Sequence, residues 1–343
     1  MKIAVLGTGS WGTALAKLLC ENGHQVCLWG RRQEVVDEIN QQHTNDYYLQ
    51  NTPLPKELKA TTDLKEAVLL ADYLLIVVPT QAIRPLSEQL VSLLKEKEIA
   101  PVIIHSSKGL EQGTHLRISQ IIQESIPSSL YQEVAVLSGP SHAEEVVKKD
   151  LTTVTIACTN LEVARDIQQL FMNDYFRVYT NQDIIGVEMG AALKNIIAVA
   201  AGLIKGLGYG DNALAGLVTR GLAEMTRLGV ALGADPLTFS GLSGIGDLIV
   251  TATSPHSRNW QAGKLLAEGY SKEVVSKKIG MIVEGIWTTK AAYELSAEYQ
   301  VEMPITYALY GLLYEDLSVE EGVRALMMRS GKQEASIHTP EKI

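Results

Sequence analysis

The sequence predicts an α/β domain built on a doubly wound parallel sheet, followed by an all-helical domain. Three observations carry this. Short apolar strands alternate with helices through the first half of the chain. A glycine-rich turn, Gly7-Thr8-Gly9-Ser10-Trp11-Gly12, joins the first strand to the first helix. Strand patterns nearly vanish after about residue 183.

The first strand, 2–6, is short, apolar and β-branched. A helix over 10–22 follows, with Ala14, Leu15, Leu18 and Leu19 at helical spacing and Asn22-Gly23 as its stop. Residues 25–29 read as a second strand and 34–42 as a helix. Residues 73–78 form a continuous apolar strand of the kind buried on both faces, with 101–105 and 134–137 as two more. Segments 152–157 and 176–179 are placed as continuations of the sheet. From Asp183 to Lys205 one helix is apolar almost all round, as buried helices are. Further helices are expected over 207–232, 242–253, 259–268, 283–299 and 305–314. The domains divide as 1–187 and 188–343, and the polar tail from Ser330 is expected to fray.

Composition narrows the function. With 46% hydrophobic and 20% charged residues, the chain has material for a core and is not a disordered polymer. A net charge of −9 argues against nucleic acid or anionic lipid as a bulk partner, while leaving room for a local basic pocket. The three cysteines, Cys20, Cys27 and Cys158, show no zinc spacing, so no metal is expected and the thiols read as reduced, in a cytoplasmic protein. The longest uninterrupted apolar run, 196–204, is half of the ~18 residues a membrane helix needs, so no membrane insertion is expected. The apolar stretch at 3–6 is too short for a signal peptide and is broken at once by Gly7.

The glycine-rich turn matches the dinucleotide fingerprint of a Rossmann-type domain. Gly7 permits the tight turn, Gly9 lets backbone approach a pyrophosphate, and Gly12 lets helix pack on strand. The helix N-terminus at Ser10 adds unpaired N–H groups and a partial positive charge. The second strand ends Trp29-Gly30-Arg31-Arg32, without the acid that would bond a ribose 2′-hydroxyl. Either the two arginines are a solvated helix start, or they hold a 2′-phosphate; the second reading favours NADP(H), with NAD(H) possible.

The helical half carries the polar exceptions. Between 184 and 204 only Glu188, Lys194 and Asn195 interrupt an apolar helix. Lys194 is either paired or neutral, which lowers its pKa and suits it to proton transfer, or it snorkels to water. Asp247 stands at a glycine-rich helix start, where it is either an N-cap or a site acid. Ser257-Arg258-Asn259 offer a hydroxyl, a guanidinium and helix N–H groups, forming either a capping motif or an anion cradle. Ser106-Ser107-Lys108-Gly109 and Gly139-Pro140-Ser141-His142-Ala143 follow strand ends, where ligands sit in open α/β sheets. His142 reads as polar surface and is assigned no role.

These features converge on a dinucleotide, a small anionic substrate and a lysine acid. GTGSWGTALA at 7–16, SSKGLE at 106–111, SGPSHAEEV at 138–146, LKN at 193–195, GIGDL at 244–248, SRN at 257–259, VEG at 283–285 and EMPI at 302–305 resemble the bacterial NAD(P)-dependent glycerol-3-phosphate dehydrogenases. The resemblance spans nearly the whole chain in order. It implies a Rossmann-type domain plus an all-α C-terminal domain like that of 6-phosphogluconate dehydrogenase. It also implies reversible reduction of dihydroxyacetone phosphate to sn-glycerol 3-phosphate for glycerophospholipid synthesis, by a homodimer.

By the same resemblance the proton-transfer lysine falls on Lys194. Substrate contacts fall on Lys108, Gly139, Ser141, Lys194, Asp247, Ser257, Arg258 and Asn259. Cofactor contacts fall on Ser10, Trp11, Arg31, Arg32, Tyr48, Lys108, Ala143, Arg258, Ile282 and Glu284, beside Gly7, Gly9 and Gly12. Thr251, one turn after Asp247, is a further candidate. Two other readings are a dehydrogenase for a 3-hydroxy acid or sugar acid phosphate, and a non-catalytic NADP-sensing protein. The SRN motif argues against the first, and the polar constellation of the helical half against the second.

Overall fold

The computed structural model describes residues 1–331. Eight strands form one sheet: β1 (Lys2–Leu6), β2 (Gln25–Trp29), β3 (Lys59–Thr61), β4 (Tyr73–Ile76), β5 (Val102–His105), β6 (Val134–Ser138), β7 (Thr152–Ala157) and β8 (Phe176–Asn181). Seven helices lie among them: α1 (Ser10–Glu21), α2 (Gln33–Gln42), α3 (Leu64–Leu69), α4 (Ile83–Lys95), α5 (Ile118–Ser125), α6 (Ala143–Val146) and α7 (Leu161–Phe171). The strand order is β3-β2-β1-β4-β5-β6-β7-β8. It reverses between β1 and β4, the switch point at whose carboxyl edge α/β proteins bind ligands.

Alternation along each strand covers both faces. Ile3 and Val5 of β1 pack with Leu15, Leu18, Val36 and Ile167, while Ala4 and Leu6 pack with Leu86, Leu90 and Ile121. Thus α1, α2 and α7 clothe one side of the sheet, and α3, α4 and α5 the other.

The sheet departs from the parallel expectation at one pair: β6 and β7 run antiparallel. The intervening chain holds only the four-residue α6, packed against α1. That link does not recross the sheet, so β7 starts from the end where β6 finishes. The edge strand β3 had no apolar run to announce it; it is only Lys59-Ala60-Thr61, paired with β2.

Beyond the sheet, the described residues fold as helices: α8 (Ile184–Gly206), α9 (Asp211–Ala231), α10 (Pro236–Phe239), α11 (Asp247–Thr253), α12 (Arg258–Ala267), α13 (Lys272–Ile279), α14 (Glu284–Glu298), α15 (Pro304–Tyr314) and α16 (Val319–Met327). The expected 207–232 helix begins only at Asp211, because Gly208, at φ +85°, turns the chain first. The expected 242–253 helix is two pieces, a π-helical turn over Leu242–Gly246 and then α11. The tail beyond residue 331 lies outside the described residues.

The axis of this half is α8. By length and composition it could cross a membrane, yet 89% of its apolar window is buried inside the protein. Helices α9, α11, α12 and α14 pack around it. Glycine makes the α8–α12 approach possible: a Cβ on Gly202 would stand 1.9 Å from the Trp260 carbonyl oxygen, and one on Gly263 1.9 Å from that of Val199. That contact pins the start of α12, with its Ser-Arg-Asn, against the helix bearing Lys194.

Candidate active site

The turn after β1 is shaped by contacts of backbone with backbone. Gly7 has φ +132°, and a Cβ there would lie 2.3 Å from the Val77 carbonyl oxygen at the end of β4. A Cβ on Gly12 would lie 1.9 Å from the Gly7 carbonyl oxygen. Gly9, by contrast, has open space around its Cβ position, and as N-cap of α1 it places no side chain over the first-turn N–H groups. A closed turn, an open Gly9 and uncapped helix N–H groups fit a dinucleotide pyrophosphate.

Neighbouring side chains brace this turn. Ser10 Oγ donates to the Tyr48 carbonyl at 2.9 Å. Trp11 Nε1 donates to Ser106 Oγ at 2.7 Å, and Ser106 Oγ donates to the Leu137 carbonyl at 2.8 Å. Ala143, at the start of α6, packs with Ala14, Leu49 and Trp11. Past β2, Arg31 and Arg32 are exposed, and the Arg32 guanidinium lies 4.5 Å above the Tyr47 ring.

The ends of β5 and β6 meet the helical half at a buried carboxylate. Asp247, the first residue of α11, is 1% exposed. Its Oδ2 accepts from Lys108 Nζ at 2.8 Å, and its Oδ1 accepts from Lys194 Nζ. Lys194 also donates to Thr251 Oγ1 at 2.8 Å, and Lys108 Nζ stands 3.4 Å from the Gly139 carbonyl. Ser141 Oγ donates to that same carbonyl at 3.0 Å. Burial pulls the Lys194 ammonium down to about 7, with Lys108 adding to the fall and Asp247 opposing it. For Asp247 burial works upward, but the two ammonium groups outweigh it and hold the carboxyl below its usual range. Lys194 is therefore paired, and does not snorkel.

A second cluster adjoins Gly109. Glu284, at the start of α14, accepts the Thr80 N–H at 3.2 Å, and its other oxygen would lie 2.9 Å from a Cβ on Gly109. Burial raises the Glu284 carboxyl despite Thr80 and Arg258. Arg258 donates to the Ile282 carbonyl at 3.1 Å and keeps its guanidinium open to solvent. Ser257 caps α12 by accepting the Trp260 N–H at 3.3 Å. Asn259 is engaged at both ends: its Nδ2 donates to Asn195 Oδ1 at 2.8 Å, and its Oδ1 accepts the Gly285 N–H at 2.9 Å.

Lys108, Gly139, Ser141, Lys194 and Asp247 thus come together, and so do Arg258, Ile282 and Glu284, the two groups joined through Lys108-Gly109. Arg31, Arg32 and Tyr48 belong to a separate part of the edge, beside the turn after β1.

Two models of protein families match the chain: the N-terminal part of NAD-dependent glycerol-3-phosphate dehydrogenase over residues 2–164, and its C-terminal part over 183–324. The chain belongs to this family. Relatives agree along their full length. A glycerol-3-phosphate dehydrogenase of Enterococcus faecalis named for NAD(P)+ is 60% identical over 333 residues, 97% of each chain. One of Streptococcus uberis is 55% identical over 337 residues, 98% of this chain and 99% of the relative. The crystal structure of glycerol-3-phosphate dehydrogenase from Coxiella burnetii has a TM-score of 0.89 and 39% identity, covering 95% of this chain and 98% of that one. The fold is accordingly the family's Rossmann-type sheet domain with an all-helical C-terminal part.

Against that family frame, sequence reasoning missed several residues. Thr80 follows β4 without any motif, and only the folded chain brings its N–H to Glu284. Glu188 stood out as a carboxyl on an apolar helix but had no assigned partner; it is gripped by His105, Arg117 and Ser119. His142 is half-buried, with Nε2 3.4 Å from the Val250 carbonyl.

Proposed function

We propose that this member of the family reduces dihydroxyacetone phosphate to sn-glycerol 3-phosphate, reversibly, with NADP(H) preferred over NAD(H). The observation that carries the reading is the Lys108–Asp247–Lys194 junction, set at the carboxyl edge of the sheet beside a dinucleotide-shaped turn. When bound, the nicotinamide supplies a hydride to the C2 carbonyl carbon. The chain's own residues do the rest.

Lys194 donates the proton to the carbonyl oxygen as negative charge builds there. A group at about 7 loses and regains a proton readily near neutral pH. Asp247 holds the Lys194 amine in place, and Lys108 adds positive potential from the other carboxylate oxygen. Gly139 and Ser141 border the same spot. Ser257, Arg258 and Asn259, at the N-terminus of α12, take the phosphate, so that binding energy remote from C2 orients the reacting carbon. Gly7, Gly9, Gly12, Ser10, Trp11, Tyr48, Ala143, Ile282 and Glu284 border the cofactor, and Arg31 and Arg32 take its 2′-phosphate.

The same reading places the domain boundary at 187/188, within α8, and makes the protein a cytoplasmic homodimer supplying glycerophospholipid synthesis. Its three thiols are free, which supports a reducing compartment. The test is an initial-rate assay of NADPH and NADH oxidation with dihydroxyacetone phosphate. The expected result is turnover with both and a lower KM for NADPH; absence of turnover with either overturns the reading.

A further inference from the structure

Outside the reacting groups, one buried polar cluster joins the two halves of the molecule. Glu188, on α8, is 5% exposed and accepts three hydrogen bonds, with an imidazole nitrogen beside it. Its Oε1 accepts the Ser119 N–H at 2.7 Å and lies 3.0 Å from His105 Nε2. Its Oε2 accepts from Arg117 Nη1 at 2.5 Å and from Ser119 Oγ at 2.7 Å. These partners come from the end of β5 and the start of α5. Burial would raise the carboxyl, but His105, Arg117 and Ser119 outweigh it and hold Glu188 ionised.

The placement matters because the same two elements carry the lysines. Lys108 leaves the sheet three residues after His105, and Lys194 follows Glu188 by six residues on α8. Six residues amount to ~9 Å along a helix and a rotation of about 240°. Holding Glu188 therefore sets both the axial position and the rotation of α8 that aim Lys194 at Asp247. Nearby, α8 meets the π-helical turn closely at Gly190, where a Cβ would lie 2.5 Å from the Ser243 carbonyl oxygen; Glu188 adds a directed polar contact to that contact of shape. A buried ion pair adds little net stability over an apolar contact of the same shape, but it admits one geometry among several.

We propose that Glu188 is a positioning residue for proton transfer, its grip on the β5–α5 segment setting the register at which Lys194 and Lys108 meet on Asp247. The proposal rests on the reading of Lys194 as proton donor.

The test compares Glu188→Gln, Arg117→Gln and Arg117→Lys with the parent, with kcat counted per NADPH-binding site from a fluorescence titration so that unfolded protein is excluded. Glu188→Gln is expected to lower kcat at least tenfold and Arg117→Gln at least threefold, with KM for NADPH within twofold of the parent. Arg117→Lys, which keeps a cation at Oε2, is expected to recover most of the loss. A fall of less than threefold in Arg117→Gln overturns the proposal, as does a fall matched by an equal rise in KM for NADPH. If Glu188→Gln does not fold, the two Arg117 variants decide alone. Lys194→Met separates the two ideas: if it stays active, the proton-donor reading fails; if it is inactive while the Arg117 variants keep full kcat, only the positioning role fails.

Discussion

The turn after β1 and the junction at Asp247 lie at the same edge of the sheet but are made of different materials. The turn is backbone, formed within six consecutive residues, and its selectivity is one of shape: Gly7 and Gly12 are closed by neighbouring carbonyls, and Gly9 is open. The junction is side chain, assembled from Lys108, Lys194 and Asp247 across the sheet and two helices, and its selectivity is one of charge. Backbone can cradle a pyrophosphate without altering any proton equilibrium. Only the buried side chains bring a lysine down to about 7. Damage to the first site should therefore appear in cofactor binding, and damage to the second in turnover.

The largest effect falls on the junction. Lys194→Met should lower kcat by roughly 10²–10⁴-fold, the range for loss of a general acid, while KM for NADPH stays near the parent value. A loss below tenfold in folded protein would mean that charge is not what the junction provides. Next comes the rim of the cofactor site. Changing Arg31 and Arg32 together to Ala should raise KM for NADPH about tenfold, as loss of a charge-assisted phosphate contact does, and leave KM for NADH nearly unchanged. Equal rises for both cofactors would show that the pair does not read the 2′-phosphate.

The effect on kcat is smallest at the turn itself. Gly7→Ala puts a side chain at φ +132°, with its Cβ 2.3 Å from the Val77 carbonyl oxygen. Backbone strain of this kind costs ~1–3 kcal/mol, visible as a lower urea midpoint. It should raise KM for NADPH and NADH alike and spare kcat at saturation, the opposite of the Arg31/Arg32 split. An unchanged midpoint would show that the turn tolerates what its geometry excludes.

This difference in material also explains what the sequence made legible. A local backbone site leaves a contiguous signature, so the strand–glycine–helix pattern at 2–22 located the turn directly. The junction left only separated oddities: a lysine in an apolar helix, and an aspartate after glycines where a plain N-cap was an equal reading. Their meeting depends on the packing of α11 against α8, and short-range periodicity carries no record of that. Family resemblance, not spacing, linked Lys108, Lys194 and Asp247.

Weak local signals account for the other gaps. The three-residue β3 has too little pattern to notice, and the antiparallel β7 follows from a link that does not recross the sheet. Thr80 acts through its backbone N–H, which any residue but proline carries, so nothing in its side chain marked it. Glu188 was conspicuous by polarity, yet its partners lie some seventy residues away in sequence.

Centrally, burial and the neighbouring Lys108, working against Asp247, bring Lys194 to exchange its proton near neutral pH. The pH dependence of kcat/KM in both directions, which reports the free enzyme, tests it most directly. Reduction needs the ammonium, so its kcat/KM should fall about tenfold per unit as pH rises above about 7. Oxidation of sn-glycerol 3-phosphate needs the neutral amine, so its kcat/KM should rise toward the same value and level off above it. Flat profiles in both directions between about pH 6 and 9, with deuterated NADPH showing hydride transfer to be rate-limiting, would contradict the account.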